Sequence, residues 1–76
     1  MKIEFYTVNE KHVYACVDRP YKKVCYYITC NRMNETLFSK NELIENHKYI
    51  KILPIVVRRI IGNIQFKRVM KNIESE

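Results

Sequence analysis

Two runs rich in β-branched and aromatic residues, Val13 to Asp18 and Lys23 to Cys30, flank the tetrapeptide Arg19-Pro20-Tyr21-Lys22. Proline at the second position of that tetrapeptide presets the φ that a type I or II turn needs there. The segment therefore predicts an antiparallel hairpin. If Asp18 stands opposite Lys23, the pairs that follow are Val17 with Val24, Cys16 with Cys25, Ala15 with Tyr26, Tyr14 with Tyr27 and Val13 with Ile28. Strand side chains alternate between faces. One face then carries Val13, Ala15, Val17, Val24, Tyr26, Ile28 and Cys30, and is the core face. The other carries His12, Tyr14, Cys16, Cys25, Tyr27 and Thr29. A register slip of one residue would exchange the partners.

Around this hairpin the elements are short. Lys2 to Val8 has strand composition and ends at the polar turn Asn9-Glu10-Lys11. Asn31 to Thr36 reads as a loop. Ser39-Lys40-Asn41-Glu42 is a capping box, with Ser39 as the N-cap and Phe38 and Leu43 at the positions of a hydrophobic staple. The helix it starts is short, because Asn46-His47 ends the pattern and Tyr49 to Leu53 reads as a strand running into Pro54. From Leu53 onward, the residues Leu53, Val57, Ile60, Ile61 and Ile64 fall on one helical side, whereas Phe66, Val69, Met70 and Ile73 fall on the opposite side. One straight helix cannot bury both. Gly62-Asn63 lies where the side changes and is either a helix break or the turn of a second hairpin. The break is preferred, since a hairpin would set Arg59 against Phe66 and Val57 against Arg68 within the apolar rows. The expected fold is a single α+β domain over residues 1–76. It has a small antiparallel sheet of three to four strands, a short capped helix and a basic, broken C-terminal helix.

A chain of 76 residues buries only about 60% of the surface it exposes when unfolded, which leaves little material for the walls of a catalytic cleft. No enzymatic activity is expected. The N-terminus reaches Glu4 and Glu10 without an apolar run, and no charge-free stretch exceeds the eight residues from Val24 to Asn31. Neither a secretory signal nor a membrane span of about 20 residues is expected. Three cysteines, an odd number, then fit free thiols in the cytoplasm.

Charge supplies the functional expectation. Residues 1–45 hold seven cations and six anions, whereas residues 46–73 hold Lys48, Lys51, Arg58, Arg59, Lys67, Arg68 and Lys71 and no acid. A solubilising surface normally mixes signs, so a one-sign segment points to an anionic partner. The expected function is a non-catalytic nucleic-acid-binding protein, of DNA or RNA, using phosphate contacts from this segment. Tyr14 and Tyr27 are candidates for base stacking, unless the pair serves only to stabilise the hairpin under a helix or a second subunit. The alternative is a protein-protein interaction module whose basic face docks on an acidic or nucleic-acid-binding surface of a partner protein. It would be of the kind a mobile element uses to inhibit a host enzyme. A two-fold homodimer is expected to cover Tyr14, Tyr27 and one C-terminal apolar stripe.

Other chemistry is not expected. The spacing C-x8-C-x4-C lacks the paired C-x2-4-C knuckle of a zinc site, so no metal or other cofactor is implied. Cys16 and Cys25 could be bridged as opposed strand residues, but the reducing compartment favours free, buried thiols. His12 lies near their level on the same face, an arrangement too commonplace to indicate Cys-His catalysis. The single glycine excludes both the P-loop and the dinucleotide-binding fingerprint. A helix-turn-helix over Val57 to Lys71 would place Arg58 and Arg68 where small and apolar residues pack.

Overall fold

The computed structural model of the chain describes residues 1–29 and 32–75. Strands β1 (Lys2–Val8), β2 (His12–Asp18), β3 (Lys23–Ile28), β4 (Met33–Glu35) and β5 (Ile50–Ile52) form one antiparallel sheet in the order β4-β3-β2-β1-β5. Helix α1 (Lys40–Glu45) precedes β5, and α2 (Pro54–Ile61) and α3 (Asn63–Glu74) follow it. The fold is α+β, and no helix among the described residues is long and apolar enough to cross a membrane.

The β2–β3 hairpin has the expected register, from Asp18 opposite Lys23 to Val13 opposite Ile28. Alternation then gives each face its own core. Val13, Ala15, Val17, Val24, Tyr26 and Ile28 join Phe5 on one side and are covered by Val57, Phe66, Val69 and Ile73 of α2 and α3. Cys30, assigned to that face from sequence, lies outside the described residues. On the other side Tyr6, Tyr14, Cys16 and Cys25 pack with Leu43 of α1, flanked by Tyr27 and Tyr49.

The sheet has five strands rather than three or four, because part of the expected Asn31 to Thr36 loop pairs as β4. Met33-Asn34-Glu35 has little strand propensity of its own. Its pairing follows from the tight return at Thr29 and Arg32, where the Arg32 amide donates to Thr29 Oγ1 at 3.1 Å, and from Thr36 Oγ1 donating to the Cys25 carbonyl at 2.9 Å. A second correction concerns the cysteines. Cys16 and Cys25 are joined in a disulfide, where free thiols were expected. They are directly opposed on β2 and β3 with Cα atoms 4.1 Å apart, close enough for the side chains to meet. The thiol count therefore no longer argues for a reducing compartment.

Gly62 makes the helix break. Its φ of 90° and ψ of 156° lie in a region closed to residues with a Cβ, and the turn allows both apolar stripes to reach one sheet face. Val57, Ile60 and Ile61 pack inward from α2, and Phe66, Val69, Met70 and Ile73 from α3. A Cβ at Gly62 would meet no atom within 4 Å, so the cost of substitution is purely conformational. We expect Gly62→Ala to destabilise the protein by about 1–2 kcal/mol. An unchanged thermal midpoint would show that the backbone at Gly62 is not held in this conformation.

Glu4 ties three elements together. Its carboxylate accepts from Lys40 Nζ of α1 at 3.0 Å and from Lys51 Nζ of β5 at 2.9 Å. The Lys51 ammonium, followed by that of Lys40, holds the carboxyl at about 2, below its ordinary 4.5. A depressed folded-state pKa contributes stability that is complete above the unfolded value and is lost as pH falls through the folded one. The contribution is thus full above about pH 4.5 and gone below about pH 2. Both lysines are substantially exposed, so solvent screening keeps it near 1–2 kcal/mol. Glu4→Gln should lose that amount at neutral pH and show a shallower stability decline between pH 4.5 and 2. An acid limb as steep as that of the wild type would exclude this role for Glu4.

Candidate functional site

Helix geometry decides where five of the seven expected cations point. Successive residues turn by about 100°, so positions i, i+3, i+4 and i+7 form one stripe. On α3 the inward stripe is Phe66, Val69 and Ile73, which leaves Ile64, Lys67, Arg68 and Lys71 on the outward one. On α2 Val57, Ile60 and Ile61 turn inward, and Ile55, Arg58 and Arg59 turn outward. Both helices cover the same sheet face, so both outward stripes lie on one side of the protein. Arg58 links them, its guanidinium carbon 4.6 Å from the centroid of the Phe66 ring of α3.

Each stripe starts with an isoleucine followed by two cations at i+3 and i+4. Ile55 is 61% exposed and Ile64 is 72% exposed. From sequence, Leu53 and Ile64 both fall on the apolar stripe with Val57, Ile60 and Ile61, yet both are exposed, and Ile55 was not singled out. The recurring spacing Ile-x-x-cation-Arg was the available signal.

The other two cations stand apart. Lys51 shares a sheet face with Tyr6, its partner across the β1–β5 ladder, and is engaged by Glu4 on the α1 side. Lys48 is exposed at the exit of α1, in a left-handed conformation with φ of 58°. Neither lies on α2 or α3. Two of the eight acids are engaged elsewhere, Glu4 on Lys40 and Lys51 and Glu35 on Lys22. Among the described residues no acid pairs with Arg58, Arg59, Lys67, Arg68 or Lys71.

The expected stacking pair is divided by its surroundings. Tyr14 is buried, 9% exposed, with the Tyr27 ring centroid at 5.1 Å and Tyr49 edge-on at 5.0 Å. Burial, then the neighbouring Tyr14, pushes the Tyr49 hydroxyl up to about 12, and burial raises that of Tyr14 as well. Tyr27 is half-buried and its hydroxyl lies 2.9 Å from His12 Nδ1. Neither ring belongs to the basic helical face. The cover for Tyr14 thus comes from α1 and the Tyr49 segment of the same chain, and most of the C-terminal apolar stripe packs within the chain as well.

A cavity of about 210 Å³ lies beside the disulfide, between the sheet and the start of α1, lined among others by Asp18, Lys23, Ser39 and Lys40. Cys16 and Cys25 offer no nucleophilic thiolate there while the bond stands. Among the described residues no three His, Cys, Asp or Glu side chains come together to hold a metal ion. The chain matches no protein family, no curated protein and no solved structure.

Proposed function

We propose that the protein binds nucleic acid without catalysing a reaction, through phosphate contacts from the outward faces of α2 and α3. One observation carries the reading. Arg58, Arg59, Lys67, Arg68 and Lys71 are exposed on two rigid helices without an acidic partner among the described residues, whereas Lys22, Lys40 and Lys51 are each engaged. Cations held by the backbone and left unneutralised project a positive field on one side of the protein, and phosphates that meet them release condensed counterions.

A second reading, the interaction module docking on an acidic or nucleic-acid-binding surface of a partner protein, has Ile55 and Ile64 in its favour. Protein interfaces combine an apolar centre with arginine, which two exposed isoleucines among cations resemble.

Binding of labelled DNA and RNA at about 50 mM salt, where phosphate contacts are strongest, tests the first reading. Log affinity should fall with log salt by about 0.7 to 0.9 per contact. The double change Lys67→Glu with Arg68→Glu should flatten that slope by about 1 to 2 units and lower affinity on the order of fifty-fold near 0.1 M salt. The thermal midpoint should stay put, both side chains being solvated. If the wild-type protein binds no nucleic acid under these conditions, the interaction-module reading takes its place.

A further inference from the structure

We infer that the nucleic acid taken by the α2–α3 face is double-stranded, an inference that rests on the nucleic-acid reading above and names its ligand. The positions of the aromatic rings separate a double-stranded ligand from a single-stranded one. Proteins that hold single strands combine a positive groove with aromatic side chains on which bases stack, and that stacking supplies much of the affinity. This chain has six tyrosines, three phenylalanines and no tryptophan. None stands on the outward stripe of α2 or α3.

Phe5, Tyr6, Tyr14, Tyr26 and Phe66 are buried. Tyr27 and Tyr49 are half-buried on the opposite side of the sheet, with Tyr14 and Leu43. Phe38 packs edge-on against His47, with centroids 4.8 Å apart. Tyr21, well exposed, sits in the β2–β3 turn. The single ring on α2 or α3, that of Phe66, is turned inward and capped by Arg58.

The face therefore offers cations and the aliphatic side chains of Ile55 and Ile64, with no aromatic ring on its helices for an unpaired base to stack on. It is also regular. From Ile64 to Lys71 the stripe runs about 10 Å along a helix that cannot adapt to a flexible strand. A duplex presents a stiff row of phosphates, one charge per roughly 1.7 Å of axis, with its bases already stacked on each other. A fixed row of cations matches that partner, and the missing rings cost it nothing.

The test compares fluorescence anisotropy of the full chain on duplexes and single strands of equal length and mixed sequence, as DNA and as RNA, at about 50 mM salt. At least one duplex should bind tenfold or more tightly than its own single strands. Its salt slope should approach about 4 to 5 if all five cations make contact. Tyr21→Ala and Tyr27→Ala should leave affinity within twofold. Single strands bound as tightly as the duplexes, or a tenfold loss in either tyrosine variant, would overturn the duplex assignment and leave the nucleic-acid reading intact. Absence of binding to every probe would overturn both.

Discussion

Leu43→Ala is expected to lower stability by about 2–4 kcal/mol, a large share of the roughly 4–11 kcal/mol that a domain of this length possesses. Leu43 is 1% exposed and is the one buried residue of α1. A six-residue helix does not persist in water by propensity, even with Ser39 Oγ accepting from the Glu42 amide at 3.2 Å. It is held by what Leu43 buries against Tyr6, Tyr14, Cys16 and Cys25. Truncation would leave a cavity at the centre of the smaller core and loosen the cover of Tyr14. The urea midpoint should fall and the near-ultraviolet tyrosine signal should weaken. Ile44→Ala, at an exposed neighbouring position, should change stability by less than about 0.5 kcal/mol. Equal midpoints for the two variants would mean that α1 does not dock on the sheet.

The second large effect is expected at Arg19, which the sequence placed in an ordinary turn. Its side chain is buried, and Nη2 donates to the Ile73 carbonyl at 2.8 Å, joining the tip of the β2–β3 hairpin to the last turn of α3. Carbonyls at a helix C-terminus lack intrahelical donors and carry the negative end of the helix dipole, so a guanidinium there both completes a hydrogen bond and meets favourable charge. Arg19→Met keeps most of the apolar stem and removes both contributions. We expect a loss of about 2–3 kcal/mol, with faster amide exchange in the last turn of α3. Arg19→Lys should recover only part of it, because a compact ammonium does not reproduce the reach of the guanidinium fork. Full recovery by lysine would reduce the contact to charge alone.

The parts of this fold that were legible in the sequence are those set by local periodicity. Alternation on both sides of Pro20 specified register, faces and core for β2 and β3, and the opposed stripes around Gly62 located the helix break. The parts that were not legible depend on elements distant in sequence. β4 has no strand composition and exists because β3 offers it an edge. Lys51 carries the same charge as Lys67, yet pairing of β5 with β1 turns it to Glu4 on the opposite face. Tyr14 had strand alternation to suggest an open face, but only tertiary structure brings Leu43 and Tyr49 onto it. The cation cluster was visible as a run of one sign. That five of these cations share one side of the protein required the packing of α2 and α3 on a common sheet face.

The order β4-β3-β2-β1-β5 also has a consequence for synthesis. Four strands are joined in chain order by short returns, so they can pair as they emerge, and β5 alone joins out of sequence. The apolar face formed by Val13 to Ile28 is complete long before its cover from Val57 to Ile73 has been made. At roughly 5–20 residues per second the interval from Ile28 to Ile73 lasts about 2–9 s. During that time the nascent chain presents a bare sheet to its surroundings, because the basic helices that cover this face follow all five strands in the chain.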